Sequence, residues 1–431
     1  MEERRASGWS WYQWAIVLML LAALVVSAID RVNISIVGSY WVKHHLMTPG
    51  QLGLLQSVFS WCLTLSLLIA GPLIDRLHPR RVLPLGLTMW AVATWLSAVT
   101  LKIPVLAVFR ALLGFGEATL LPSAPKLVVE NIPPRDRSKA ISIYFTGNKL
   151  GPTIGLPLSA AILTALGWRE VFYLTGALSV VWVAIWLLIY RRDRAVAQEP
   201  AAVVGEVRIP WQKLFQYRNT WAMIIEQFGY LYVLYVFLTW LPGILVLQEH
   251  LSIGQSGSLS ALPFVVSIVT TLLGGWLADA WVNRGGNKTT VRKTVIGGGL
   301  LLSTVFVLIA AYSTSPAMTV VFLVLTMAAM GLVTGSVNSL PMDLAPPRVV
   351  SSVSSLQNFG GNLGASFAPL ITGVLYGTFH SFRIPLILTG LVALLGAAAY
   401  VIILGKVERT YYEEEALSPA TRTSEVGTAQ P

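Results

Sequence analysis

The sequence is poor in charge and almost free of cysteine, and both shortages limit what the protein can be. Only 12% of its 431 residues are charged, whereas 55% are hydrophobic, and the mean hydropathy is +0.68. A soluble protein carries about twice that charged fraction, so most of this chain is expected to lie in lipid. The single cysteine, Cys62, excludes an intrachain disulfide.

The sequence also lacks the motifs of catalysis. It contains no nucleotide-binding loop, no metal-ligand cluster and no nucleophile motif, so we expect no enzyme, no cofactor and no bound metal. Energy for any uphill work would come from ion gradients and not from ATP. The net charge of +10 does not indicate nucleic acid, because the basic residues lie in short loops between apolar runs, as they do in membrane proteins.

Long apolar runs are abundant, and each spanning helix needs about 20 mostly apolar residues. The first run, from Trp14 to Ile29, is too long for a signal-peptide core and has no small-residue cleavage site, so it is interpreted as a retained span. The pattern predicts an all-α membrane protein of twelve transmembrane helices. The predicted spans are 14–42, 51–74, 82–101, 104–131, 139–164, 168–190, 218–247, 256–281, 293–312, 317–343, 349–377 and 382–404.

Charge and composition divide the chain into predicted domains and set its orientation. Residues 1–190 and 218–406 each form a six-helix bundle, joined by a cytoplasmic linker at 191–217, and 407–431 form a disordered tail. Most Lys and Arg residues fall in the tails and the even-numbered loops. The odd-numbered loops hold only Lys43, Lys102, Arg169 and Arg383. This bias predicts cytoplasmic termini in a multi-pass protein of the cell (inner or plasma) membrane.

The two halves repeat one another in the same order. The matched features are a Gly-x-x-x-Asp after the second span of each half, a Pro-Pro-Arg corner, a glycine pair and a Thr-Gly pair. They begin at Gly71 and Gly275, Pro133 and Pro346, Gly147 and Gly360, and Thr175 and Thr389. The same order and the same membrane direction indicate parallel repeats, as in transporters built from two related bundles.

Several motifs carry a family resemblance that covers about residues 10 to 406. Gly71-Pro-Leu-Ile-Asp75-Arg-Leu-His-Pro-Arg80-Arg81 resembles the signature loop of the major facilitator superfamily, with Pro79 where glycine is usual. Arg110-x-x-x-Gly114 resembles its fourth-helix motif. Matches to the anion:cation symporter group of that superfamily are Ala28-Ile29-Asp30-Arg31-Val-Asn33, Gly116-Glu117-Ala118, Phe237-Leu-Thr-Trp240-Leu-Pro242 and Gln357-Asn358-Phe.

That resemblance implies a fold and an activity. It implies two six-helix bundles around a central cavity and uptake of hexonates, hexuronates or other organic anions together with protons. In the sugar-acid members, aromatic residues line the cavity near the first two spans. This chain has Ala28 and Leu63 at two such places.

Arg31 is the first candidate for chemistry. An arginine inside a span costs at least about 2.5–3.5 kcal/mol on insertion scales, so it needs a polar cavity and a partner. Its planar guanidinium suits a carboxylate and stays charged at any working pH. We expect it to anchor the carboxylate of the substrate. The alternative is a structural ion pair with Asp30 or Glu117.

Asp30 and Glu117 are the proton-coupling candidates, and the family resemblance assigns proton roles to acids at these positions. A carboxyl group in a low-dielectric cavity can bind and release a proton near neutrality. An anion at Arg31 would remove the cation that keeps such an acid ionised, which couples anion and proton binding. For Asp30 the alternative is a fixed pair with Arg31. Arg110 lies seven residues before Glu117 on the same helical face, and either relays the protonation state or anchors nearby carbonyls.

Other polar residues within the spans are predicted to contact the substrate. Asn148 and Lys149 lie at one level of span 5, and only one can point straight into the cavity, because successive residues turn by about 100°. Lys149 either adds a second positive charge for a dianion or lines a groove between helices. The second-half candidates, for each of which interhelical hydrogen bonding is the alternative, are Gln227, Trp240, Asn338, Asn358 and Asn362. Glu226 is expected to snorkel or to belong to the inner gate.

A cytoplasmic gate is expected from charges at the ends of spans 2 and 8. Its predicted residues are Asp75, Arg76, Arg80 and Asp279. Asp75 can pair with a basic residue of the signature loop or cap a helix N-terminus. For the arginines, the alternative is plain topology charge.

The function predicted from these features is proton-coupled symport of a small organic anion by alternating access. The expected partners are that anion, protons and the lipid bilayer, without nucleic acid, and the protein is expected to be a monomer. The alternatives are a proton-coupled drug or metabolite efflux antiporter, an organophosphate exchanger and a receptor that transports nothing. Gly147-x-x-x-Gly-Pro-x-x-Gly155 resembles an efflux motif, although Leu156 replaces its final glycine. Beyond Arg218 at its first residue, span 7 lacks the arginine expected of an organophosphate exchanger.

Overall fold

The computed structural model describes residues 9–190, 214–345 and 350–408, and within these ranges every regular element is a helix. The expected linker at 191–217 and tail at 407–431 lie almost entirely outside the described residues. The first half contains α1 Trp11–Lys43, α2 Pro49–Leu77, α3 Pro79–Ser97, α4 Ile103–Glu117, α5 Leu120–Asn131, α6 Arg137–Phe145, α7 Gly147–Leu166 and α8 Trp168–Ile189. The second half contains α9 Arg218–Gly243, α10 Ile253–Asn283, α11 Lys288–Tyr312, α12 Pro316–Leu344, α13 Val350–Phe379 and α14 Arg383–Ala398.

The predicted spans coincide with these helices to within about five residues at each end. Ten of them are long and apolar enough to cross a membrane, counting only the described residues. The third and eleventh predicted spans correspond to α3 and α13, which are not among the ten. The sequence of α13 is rich in serine, glycine and asparagine. The count of twelve spans therefore stays a prediction.

Local sequence accounts for where several helices begin and break. The side chains of Ser10 and Thr48 each accept a hydrogen bond from the backbone N–H of a glutamine three residues on. The side chain of each glutamine in turn accepts from the backbone N–H of the capping residue. The predicted fourth span is interrupted after Glu117, where α4 ends and α5 begins at Leu120. Pro122 has no N–H to donate to the carbonyl of Ala118, so the helix breaks there.

The described residues fall into two compact units. The first contains the described residues of Met1–Glu199, Val236–Val265 and Ala368–Phe382, and the second contains those of Pro200–Tyr235, Val266–Phe367 and Arg383–Pro431. In the first unit α1 packs along α7 and α8. In the second unit α11 packs along α12 and α14.

Glycines at repeat-related positions bring two pairs of helices into close contact. In the first unit, a Cβ at Gly147 would lie 2.9 Å from Leu21 O of α1, and a Cβ at Gly151 would overlap the side chain of Ala28. In the second unit, a Cβ at Gly360 would lie 2.5 Å from Ile224 O of α9. The glycine pairs that mark the sequence repeat therefore perform the same packing task in both units.

We expect Gly151→Ala to destabilise the protein, because the new methyl group would force α7 away from α1. The expected loss is about 1–3 kcal/mol of unfolding free energy, as for other overpacked positions, and it is measured as a lower thermal unfolding midpoint in detergent. Gly298→Ala on α11 is the matched control, because a Cβ there meets nothing within 4 Å. Equal midpoints for the two variants would contradict the packing role of Gly151.

Candidate substrate and proton site

Close helix packing brings α4 to the charged part of α1. A Cβ at Gly114 would lie 2.6 Å from Phe59 O of α2, and a Cβ at Gly116 would lie 2.5 Å from Gly86 O of α3. Both glycines therefore hold α4 against its neighbours by direct backbone contact. Glu117, the last residue of α4, is 1% exposed and reaches the side chains of α1.

Arg31 and Glu117 form an ion pair inside the first unit. Arg31 Nε donates to Glu117 Oε1 at 2.5 Å, and Arg31 Nη2 also contacts that oxygen. Ser27, one turn before Arg31, donates its hydroxyl to the same oxygen and accepts from Arg31 Nη2 at 3.4 Å. The Arg31 side chain keeps 16% exposure, whereas that of Glu117 keeps 2%. Arg31 is thus the more exposed of the two charged groups. The ion pair with Glu117 is the structural alternative expected from the sequence, and the anchoring of a substrate carboxylate by Arg31 stays a prediction.

Asp30 points about 100° away from Arg31 around α1, and neutral groups donate its hydrogen bonds. Its Oδ1 accepts from Asn33 Nδ2 at 3.2 Å, and its Oδ2 accepts from Ser179 Oγ of α8 at 3.4 Å. Trp90 of α3 donates to Ser179 Oγ at 2.7 Å, and Asn33 Nδ2 also donates to Thr175 Oγ1 at 3.0 Å. Asp30 is 1% exposed, so this network replaces the water that the carboxyl group would otherwise bind.

Arg110 completes a balanced set of two acids and two arginines. It is 1% exposed, and its guanidinium interacts electrostatically with both Asp30 and Glu117. Its Nε and Nη1 find no hydrogen-bond acceptor among the described residues. Arg110 therefore stabilises the two acids through its charge and not through a fixed hydrogen-bonded pair.

Several hydroxyl and ring groups that lie in this cluster were not predicted from the sequence as site residues. They are Ser27, Trp90, Thr175 and Ser179, together with the amide of Asn33. A usable signal was present, because Ser27 precedes Arg31 by four residues and Thr175 precedes Ser179 by four. Residues four apart share a helix face, and polar pairs at that spacing within apolar helices indicate a common polar partner.

Asn148 and Lys149 are both half-buried at the start of α7. Gly147 and Gly151 face α1, and each residue turns by about 100°. Asn148 therefore lies on the flank of α7 next to α1, whereas Lys149 lies on the side away from α1. Their substrate roles stay predictions, with Asn148 on the side of the Arg31 helix.

The other predicted contact residues occupy varied environments. In the second unit, Gln227 is buried, Asn338 is exposed, and Asn358 and Asn362 each donate to the carbonyl one turn earlier on α13. In the first unit, Trp240 is fully buried, donates its indole N–H to Pro369 O at 3.0 Å and lies against Phe382. Trp240 thus has the interhelical bond that was the alternative to ligand contact.

The region of the predicted gate is more helical than expected. The predicted loop after Ile74 is absent: α2 continues through Leu77 and α3 begins at Pro79, leaving His78 as the junction. His78 has a φ of 66° and a ψ of 142°, a strained backbone conformation for a residue with a Cβ. Its Nδ1 accepts from Arg80 N at 3.2 Å and its Nε2 lies 3.1 Å from Glu130 Oε2.

Three of the predicted gate residues have exposed side chains. Those of Arg76 and Arg80 are exposed in the first unit, and that of Asp279 is exposed in the second. The side chain of Asp75 lies outside the described part of the structure. The gate assignment therefore stays a prediction.

Comparison with known proteins identifies the family. The family described as Major Facilitator Superfamily matches residues 19–369 and, overlapping them, 250–427. A protein of Escherichia coli strain K12 named "Probable L-galactonate transporter" is 30% identical over 404 residues, covering 91% of this chain and 89% of that protein. The "D-galactonate transporter" of Escherichia coli O6:H1 is 29% identical over 415 residues, covering 91% and 95%.

A solved structure shares the fold. The chain resembles a bacterial homologue of the human lysosomal transporter Spinster, crystallised in an inward-facing and occupied conformation, with a TM-score of 0.80 at 18% sequence identity. The similarity covers 92% of this chain and 97% of the other. At this identity the likeness establishes the fold and nothing finer.

Proposed function

This chain belongs to the Major Facilitator Superfamily, and on that premise we propose that it transports a small organic anion across a membrane together with protons. The observation that carries the proposal is the ion pair of Arg31 with Glu117 inside a membrane-spanning bundle. When such an ion pair in a low-dielectric site separates, the cation can bind a substrate carboxylate and the acid can bind a proton.

The substrate class follows from the cation and from the relatives. A guanidinium binds carboxylates through parallel hydrogen bonds, and two relatives are named for galactonate, a sugar acid. Ala28 is buried against Gly151, and Leu63 is buried with its backbone against Gly114, so neither position offers an aromatic wall. We therefore propose a carboxylate such as a sugar acid or dicarboxylate, with a preference for the smaller members.

The coupling step is a replacement at Arg31. When the substrate carboxylate binds Arg31, Glu117 loses its cation, and an unpaired buried charge costs about 3–5 kcal/mol. Protonation of Glu117 removes that charge. Anion and proton thus favour each other's binding. With one monovalent anion and one proton bound, the site is neutral, as the empty ion pair is.

Asp30 and Arg110 are proposed to respond to the protonation of Glu117. Asp30 is held by Asn33 and Ser179, and Arg110 acts on both acids through its charge. When Glu117 becomes neutral, Arg110 retains Asp30 as its remaining acidic neighbour. We propose that this change in balance transmits the protonation state of Glu117 to Asp30.

Transport would follow alternating access, in which the site opens in turn to each side of the membrane. Asn148, Lys149 and the second-half amides are proposed to complete the contacts with the substrate. Asp75, Arg76, Arg80 and Asp279 are proposed to close the cytoplasmic side. The glycine pattern that resembles an efflux motif is accounted for by the packing of α7 on α1, so it gives the antiporter alternative no separate support.

The experiment for this function is uptake by the purified protein in proteoliposomes. A panel of radiolabelled sugar acids, dicarboxylates and aromatic acids is offered with an imposed pH gradient, acidic on the side of the anion. At least one carboxylate should accumulate above its external concentration, and a protonophore should abolish the accumulation. For one proton per monovalent anion the accumulation limit is about tenfold per pH unit. Uptake indifferent to the pH gradient, or confined to cations, would contradict the proposal.

A further inference from the structure

The second unit contains a buried acid that the Arg31 site does not use. Glu226 lies on α9, is fully buried, and neither of its carboxylate oxygens has a hydrogen-bond partner among the described residues. Of the two expectations for Glu226 from the sequence, snorkelling is wrong, because no part of the residue is exposed, and a place in the inner gate stays a prediction. Its position is closed by α14 and α11: a Cβ at Gly396 would lie 3.4 Å from Glu226 O and 3.5 Å from Leu300 Cδ1.

Among the described residues, the groups found to interact with Glu226 are tyrosine hydroxyls and not cations. Tyr230 lies one turn along α9, and Tyr400 lies one turn past Gly396, the residue that packs against Glu226. Both tyrosines interact electrostatically with its carboxyl group. The Tyr230 hydroxyl is already bonded to Thr334 Oγ1 at 2.8 Å. The Tyr400 hydroxyl has no hydrogen-bond partner within the described ranges. Neither tyrosine supplies the positive charge that an ionised carboxylate needs.

The cation that shares a tyrosine neighbour with Glu226 is paired with another acid. Arg292 of α11 donates from Nε to Asp343 Oδ2 at 2.9 Å, its Nη2 lies 2.8 Å from the same oxygen, and its Nη1 donates to Ser336 Oγ at 3.2 Å. Lys288 adds a second cation 3.8 Å from Asp343 Oδ1. Tyr400 interacts electrostatically with both Arg292 and Glu226, so a hydroxyl connects the surroundings of the acid with those of the ion pair.

An ionised carboxylate without partners is strongly unfavourable in a low-dielectric interior, and such a group takes up a proton instead. We propose that Glu226 is a second proton-binding residue, which carries a proton in this conformation and exchanges it during the transport cycle by way of the Tyr400 hydroxyl. The inference rests on the proposed proton-coupled function and extends it to the second unit. At the repeat offset of the glycine pairs, the first unit has Gln13 at this position, so the acid belongs to one unit alone.

The test compares wild type, Glu226→Gln and Tyr400→Phe in proteoliposomes. The proton-to-anion ratio is obtained from the imposed pH gradient that just halts net anion flux. Glutamine mimics a protonated glutamate in shape, so we expect substrate counterflow to persist. The ratio should fall by one proton per anion, which lowers the accumulation limit about tenfold per pH unit. Tyr400→Phe should slow net proton-driven uptake and leave the ratio unchanged. An unaltered ratio in Glu226→Gln would overturn the inference.

A second measurement covers the case in which Glu226→Gln does not fold well enough for transport. Infrared spectroscopy of the wild type should show a protonated carboxyl band that is missing from Glu226→Gln and retained in Glu249→Gln, a variant at the partly exposed end of the same span. Wild-type and Glu226→Gln spectra with the same carboxyl band would refute a proton on Glu226. A wild type that moves no protons with the anion would refute the proposed function itself, so the two failures are distinguishable.

Discussion

Arg31→Lys is expected to reduce anion uptake by about 10- to 100-fold. Arg31 contacts Glu117 through both Nε and Nη2 and contacts Ser27 as well, and a substrate carboxylate would use the same planar set of donors. Lysine keeps the charge but presents it from a single nitrogen. A lost hydrogen bond to a charged group is worth about 1.5–3 kcal/mol, and about 1.4 kcal/mol corresponds to a factor of ten.

The measurement is initial uptake at several anion concentrations, with the amount of folded protein checked by size-exclusion chromatography. Arg169→Lys is the matched control. Arg169 is exposed at the start of α8, where its guanidinium stacks on Trp168 at 4.5 Å, and that variant should transport like the wild type. Near-wild-type uptake by Arg31→Lys would refute the role of the guanidinium in anchoring the carboxylate.

Glu117→Gln is expected to separate exchange from accumulation. With a permanently neutral residue at position 117, no ionised glutamate competes with the substrate carboxylate for Arg31. Substrate should therefore still bind, and labelled anion should still exchange across the membrane. Because the variant cannot bind and release the proton of residue 117, an imposed pH gradient should drive less accumulation. The limiting ratio of internal to external anion should fall by about tenfold per pH unit, the share of one proton per monovalent anion.

Counterflow and gradient-driven uptake are measured on the same batch of proteoliposomes. Glu170→Gln, a neutralised acid in the first turn of α8, serves as the control and should keep both activities. Accumulation by Glu117→Gln equal to that of the wild type would remove Glu117 from the coupling scheme. Loss of both activities in a well-folded variant would show instead that Glu117 is needed for substrate binding.

Much of the fold could be predicted from the sequence because membrane helices depend on a single strong signal. Each apolar run must satisfy its backbone within the helix, so the predicted spans and the helices agree within a few residues. The repeat could also be identified from its matched motifs, because close helix packing requires glycine at the related positions Gly147 and Gly360. The sequence pattern did not predict the helix break after Glu117, nor that His78 alone separates α2 from α3. Both depend on local backbone geometry at Pro122 and Pro79 that apolar periodicity does not register.

The candidate site could be predicted in part. Arginines and acids are so unfavourable in lipid that Arg31, Asp30, Arg110 and Glu117 could be selected from the sequence alone. Sequence could not decide their pairing: Arg31 bonds Glu117, not its neighbour Asp30, because adjacent residues point about 100° apart on a helix. For amides and indoles the signal is weaker, since packing and binding use the same groups.

The central claim is that anion and proton meet at one place because the anion takes Arg31 from Glu117. It is tested most directly by adding a fully ionised sugar acid or dicarboxylate to the purified protein in weakly buffered detergent and recording the pH with an indicator dye. The account predicts that the wild type takes up protons as the anion binds, and that Glu117→Gln binds the anion with less or no proton uptake. Anion binding to the wild type that leaves the pH unchanged, or that releases protons, would contradict it.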